Sequence, residues 1–167
     1  MAIVVEDGTG KIDAVSYVSV ADANAYHLAR GNAAWAAASD ASKEAALVRA
    51  TSALDGMYSG RWPGRRYDQD QALDWPRSDA WDRDSYPLTG VPQRIKDATS
   101  AAALVELSEA GALSKSQERG GAVRREKIGS IETEYAPGAP AGTAYPAITQ
   151  ALARIVRGSG GLTITRV

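Results

Sequence analysis

Apolar side chains recur every three to four positions in four stretches of this 167-residue chain, and each stretch predicts a helix. The first covers 19–30. Ser19 is placed to cap it, Asp22 sits in its first turn, and Val20, Ala23, Tyr26 and His27 share one face before Gly31. The second covers 42–58, starting near Ser39 to Ser42 and carrying Leu47, Val48, Thr51, Leu54 and Tyr58. Between them, residues 32–38 are alanine-rich around Trp35. The clearest helix, 92–110, opens with Pro92 and presents Ile95, Ala98, Thr99, Ala102, Leu104 and Val105 before Gly111. The last, 146–157, opens at Pro146 and carries Ile148, Leu152, Ile155 and Val156.

The period shortens to two elsewhere. Residues 2–5 read as a short strand, Asp7-Gly8 as a turn, and 11–15 as a returning hairpin partner. Residues 123–135 read as extended, with Ile131, Thr133 and Tyr135 alternating against Glu132 and Glu134, and Gly129-Ser130 as a bend. After the hinge 158–161, Leu162-Thr163-Ile164-Thr165-Arg166-Val167 reads as a strand with no successor. Such a strand must find backbone partners, either in its own chain or by addition to another. The expected fold is α+β and mostly α: a small helical bundle with a β-hairpin and an extended C-terminal strand. Residues 1–157 form the expected core domain and 158–167 a C-terminal arm.

Between the second and third helices, residues 61–92 hold too many breakers for a helix, among them Pro63, Gly64, Pro76, Pro87 and Gly90. The same segment carries Trp62, Trp75 and Trp81, three of the four tryptophans. A long loop inside a domain is commonly functional or held by its own side chains, and these rings are the expected staples.

Composition narrows the choices. Apolar residues make up 44% and charged residues 23%, an ordinary globular balance. There is no cysteine, so disulfides, thiolate metal sites and a cysteine nucleophile are excluded. Residues 1–7 lack the basic and apolar regions of a signal peptide, and no stretch approaches the roughly 20 apolar residues of a membrane span. A soluble, intracellular protein is expected. With 19 basic and 20 acidic residues, the net charge of −1 does not point to a strong grip on a phosphate backbone.

Candidate chemistry is sparse. Gly8-Thr9-Gly10-Lys11 lacks the spacer and the Ser/Thr of a phosphate loop, and reads as a turn. His27 is the single histidine, without the partners of a triad or a zinc site. Asp68, Asp70 and Asp74 fail as a calcium loop because Leu73 stands where glycine is needed. The simpler expectation pairs these acids with Arg61, Arg65, Arg66, Arg77 and Arg83. Neither metal nor cofactor is expected, and no catalytic residue is assigned. Aromatic and basic residues alternate from Tyr58 to Arg77, as in single-strand binders, but six aspartates between 68 and 84 offset the five arginines. A cleaner basic set, Lys115, Arg119, Arg124, Arg125 and Lys127, makes the C-terminal half positive against an acidic first 60 residues. Such polarity suits head-to-tail contacts between identical subunits as well as DNA.

Several stretches occur in an order that resembles a family of tailed-bacteriophage proteins. They are Ser16-Tyr17-Val18-Ser19-Val20-Ala21-Asp22-Ala23, Arg30-Gly31-Asn32, Tyr58-Ser59-Gly60-Arg61-Trp62-Pro63-Gly64-Arg65, Gln71-Ala72-Leu73-Asp74-Trp75-Pro76-Arg77, Val91-Pro92, Lys127-Ile128-Gly129-Ser130-Ile131 and Tyr145-Pro146-Ala147-Ile148. Its members carry the label of DnaT-like single-stranded-DNA-binding proteins and look like head-to-tail connector (adaptor) proteins. The resemblance implies a non-enzymatic virion protein of the neck, a homo-oligomeric ring of about twelve copies between portal protein and tail or head-completion protein. DNA would pass through its lumen, and no membrane is involved. On this reading residues 162–167 would grip the portal, Trp62, Trp75, Arg77 and Trp81 would brace the loop or a subunit contact, and Arg119, Arg124, Arg125 and Lys127 would line the DNA channel. The alternative is a single-stranded-DNA-binding replication protein of the primosome type.

Overall fold

Helices α3 (Asp40–Tyr58) and α4 (Gln93–Ser108) pack side by side, and the other elements gather on this pair. The computed structural model describes residues 3–114, 125–128, 131–134 and 145–157. Around the central pair lie α1 (Val20–Leu28), α2 (Ala33–Ala37) and α5 (Pro146–Leu152), with a 3-10 turn at Ala112–Ser114. Small side chains let the helices approach closely: Ala46 and Ala50 of α3 and Ala98 and Ala102 of α4 are wholly buried. Leu47, Leu54 and Ile95 fill the remaining space, and Ile148 and Leu152 of α5 close the other side of α4. The fold is a small, mostly helical bundle with a short antiparallel hairpin, α+β with helix dominant.

Local signals explain most helix limits. Ser19 and Ser39 are extended and accept hydrogen bonds from Asp22 N and Ser42 N, so each satisfies an amide at a helix start. α3 thus begins two residues before the expected 42–58. α1 stops at Leu28, two residues short of Arg30, because Asn32 N and Arg30 N both turn back to the His27 carbonyl. The alanine-rich stretch around Trp35 is a helical turn of its own, α2. α5 ends at Leu152, and Ile155 and Val156 bond back to the Leu152 carbonyl beyond it.

Among the described residues, the β structure departs from the sequence pattern near the N-terminus. The expected hairpin of 2–5 with 11–15 does not form: Val5 and Ser16 make one isolated bridge in parallel orientation. Its cause is the buried Glu6 carboxylate, which accepts from Gly8 N (2.8 Å), Gly10 N (3.0 Å) and Lys11 N (2.8 Å) and winds the intervening chain around itself. Strand β3 (Arg125–Ile128) pairs antiparallel with β4 (Ile131–Glu134), Ile128 facing Ile131 in register. Within the loop, β1 (Arg65–Arg66) pairs antiparallel with β2 (Arg77–Ser78). The C-terminal strand expected at 162–167 lies outside the described residues.

Candidate nucleic-acid interface

The loop between α3 and α4 folds as an ordered plate because polar groups from the bundle hold it. Tyr17 donates its hydroxyl to Asp55 Oδ1 (2.6 Å) and accepts from Trp75 N (3.1 Å), while Asp55 Oδ2 accepts from Asp74 N (3.1 Å). Burial pushes the Asp55 carboxyl up to about 6, against the opposing pull of its two donors. Burial likewise raises the Tyr17 phenol far above its usual range, with the Asp55 charge adding to it. Arg77 then ties the loop to itself, donating to the carbonyls of Pro63 (2.6 Å), Asp74 (3.1 Å) and Gly64 (2.9 Å). Gly64 sits at φ +66°, and a Cβ there would collide with the Ser78 carbonyl, so only glycine lets β1 approach β2. Gln71, also buried, donates to the Leu73 and Pro76 carbonyls and accepts from Asp68 N.

Three tryptophans are interior. Trp35 (1% exposed), Trp62 (4%) and Trp75 (0%) are core residues, with Trp62 packed between Tyr58 and Trp75. Trp81 differs: it is 54% exposed. It stands on a narrow turn in which Leu88 N bonds Ala80 O and Asp82 N bonds Tyr86 O. Asp82 Oδ1 closes that turn by accepting from Asp84 N and Tyr86 N. Two further contacts fasten it to the end of α5: Arg83 N to Arg154 O (3.0 Å), and the ion pair of Arg154 with Asp84 (2.8 Å). Tyr67 and Tyr86 are also mostly exposed.

Tyr67 and Trp81 line one open groove of about 380 Å³, floored by Pro76, Ala80, Pro87 and Leu88. Register places Arg65 opposite Ser78 and Arg66 opposite Arg77; both arginines are exposed on the strand next to the groove, and neither lines it. The expected web of loop salt bridges is mostly replaced by something else. Arg65 does pair with Asp79 (3.2 Å), but Arg66 donates to the carbonyls of Gln69 and Gln71, and Arg61 to that of Arg157. A folded loop has many carbonyls left over from missing ladders, and guanidinium groups satisfy them.

The remaining candidates resolve as follows. His27 is buried, with Trp35 at 4.3 Å and Tyr26 edge-on. Its Nε2 donates to the Ser100 carbonyl (3.0 Å) and its Nδ1 accepts from Asn32 (2.8 Å), and burial lowers its pKa, so it is a neutral packing residue. Among the described residues no cluster of three or more His, Cys, Asp or Glu is placed to hold a metal. No described helix is long and apolar enough to cross a membrane. Arg119, Arg124 and residues 162–167 lie outside the described residues, as do the side chains of Arg125 and Lys127. Tyr67 belongs to the alternating aromatic and basic set read from the sequence, whereas sequence reasoning missed Tyr86 as an exposed ring, Glu6 as a loop organiser and the Tyr17–Asp55 anchor. Only the Tyr17–Asp55 spacing offers no local signal at all, since the two lie 38 positions apart.

The structure thus carries exposed rings and exposed arginines on one loop of a small, mostly helical bundle. The family model described as "Putative DnaT-like ssDNA binding protein" matches residues 1–167, and the chain belongs to that family. No curated protein and no solved structure matches the chain.

Proposed function

We propose that this protein is a non-enzymatic DNA-binding protein that acts on single strands, in keeping with the description of its family. The observation that carries this reading is that one anchored loop carries both exposed rings and exposed arginines: Tyr67 and Trp81 line its groove, and Arg65 and Arg66 stand on the adjoining strand. Rings offer stacking faces to unpaired bases, and guanidiniums offer partners to the backbone between them. A replication role of the primosome type is the corresponding biological setting. The test is direct binding of fluorescent single-stranded and duplex oligonucleotides. Preference for the single strand supports the reading, and no binding to either at low salt overturns it.

The charge balance favours a second reading. The five arginines of residues 61–92 are offset by six aspartates, and an exposed tryptophan on a fixed turn equally suits a contact between subunits. On this reading the protein is the head-to-tail connector that its motifs resemble. Copies would assemble as a ring in the virion neck, with residues 162–167 gripping the portal and Arg119, Arg124, Arg125 and Lys127 lining the DNA channel. Many modest contacts repeated around a ring give a durable joint. Deleting residues 162–167 should then leave a folded subunit unable to join portal rings. A deletion variant that docks normally removes that role.

A further inference from the structure

We infer that the Tyr67–Trp81 groove is a base-stacking site that takes unpaired nucleobases and holds them mainly by ring contact rather than by charge. This rests on the single-strand reading above and specifies how it works. The groove is open, its floor is apolar, and its two rings belong to different turns of the loop. Both turns are fixed beforehand. Tyr67 N bonds the Pro76 carbonyl, and the Trp81 turn is bound to α5 through Arg83 and Asp84. A ring already held in place loses little freedom when a base stacks on it.

The electrostatics select the ligand. Asp79, in the groove wall, is paired with Arg65, and the Arg77 guanidinium is committed to three backbone carbonyls. Asp82 and Asp84 stand on the Trp81 turn, the first accepting backbone amides and the second paired with Arg154. Asp79 is thus the one carboxylate among the lining residues of the groove, and Arg65 meets its charge. Duplex DNA keeps its bases inside the stack and so gains nothing from the two rings. A single strand can turn its bases onto the rings and leave its phosphates towards water. Arg65 is paired with Asp79 and Arg66 with the Gln69 and Gln71 carbonyls, so few cations are free for phosphates, which predicts a shallow salt response with a log–log slope no steeper than about −2.

The test uses the full chain and an oligo(dT) of about 16 nucleotides, with a hairpin duplex as the comparison. Trp81 is itself the probe, because the other three tryptophans are buried. Addition of oligo(dT) should quench the emission that iodide can reach. Trp81→Ala and Tyr67→Ala should each weaken oligo(dT) binding on the order of ten-fold, Trp81→Phe should retain most of it, and all three should melt like the parent. If the parent binds single strands but Trp81→Ala and Tyr67→Ala bind equally well, the groove is not the site, although the single-strand reading stands. If the salt slope is much steeper than −2, backbone charge carries binding and the stacking inference fails. If the parent binds no DNA and Trp81→Ala instead changes its oligomeric state, both the inference and the single-strand reading fall, and the ring is a subunit contact.

Discussion

Tyr17 and Asp55 meet at 2.6 Å, hydroxyl to carboxylate, and together they grip the backbone of Asp74 and Trp75. Asp55 lies on α3 and Tyr17 just before α1, so the pair joins two parts of the bundle and two amide bonds, from Asp74 and Trp75, tie the loop to it. Burial raises the Asp55 carboxyl from 3.8 to about 6, so the folded protein holds this proton more tightly than the unfolded chain does. The resulting stabilisation is complete below about pH 4 and is lost as pH rises through 6. Asp55→Asn has no such titration. Urea unfolding from pH 4 to 7 should show the parent losing up to about 3 kcal/mol relative to Asp55→Asn. A difference that stays flat across this range rules out the raised carboxyl.

Glu106 behaves in the opposite sense. Burial works to raise its pKa, but the Leu113 and Gly111 amides and the Arg49 guanidinium hold it below the ordinary carboxylate value. A lowered folded pKa gives stability that is present at neutral pH and lost on acidification. Glu106→Gln turns an amide towards donors that need an acceptor. It should cost about 1–3 kcal/mol at pH 7, read as a lower midpoint in denaturant. The penalty should shrink as the pH falls.

Trp75 and Trp81 should separate cleanly in a stability assay. Trp75 is wholly buried, and Trp75→Ala should cost about 3–5 kcal/mol. Trp81→Ala removes a mostly exposed ring and should stay within about 0.5 kcal/mol of the parent. A large loss at position 81 would mean the ring is structural, and its use as a binding face would be untenable.

Gly64→Ala tests whether the groove depends on the β1–β2 ladder. The added methyl meets the Ser78 carbonyl, and the backbone sits in the left-handed region. A loss of about 2 kcal/mol or more is expected. Amide exchange should also rise at Arg66 and Tyr67. Native stability in this variant would show that the two strands can part without consequence.

Helices were legible because their signals are local. The serine caps, the 3–4 spacing and the breakers at Gly31 and Pro92 all act within a turn or two. Even so, the expected α4 face put Leu104 and Val105 inward, whereas Ala103 and Glu106 are the buried residues. An acid looks like a surface residue until its distant partners, Arg49 and the amides past Gly111, are known. The loop was legible as loop, and its tryptophans stood out, but not which rings would face water. Trp62, Trp75 and Trp81 share a similar neighbourhood of prolines and charges. What divides them is contact with Tyr58 and Tyr17, which no local pattern encodes. The failed hairpin at 11–15 has the same origin: a strand pattern was overridden by one carboxylate drawn inward at Glu6.

That carboxylate has a chemical consequence. The turn from Gly8 to Lys11 points three amide hydrogens at one oxygen pair, the arrangement an incoming phosphate would require. The Glu6 side chain fills that position from within the chain. The turn is thereby shut to outside ligands, like a socket delivered with its plug already seated.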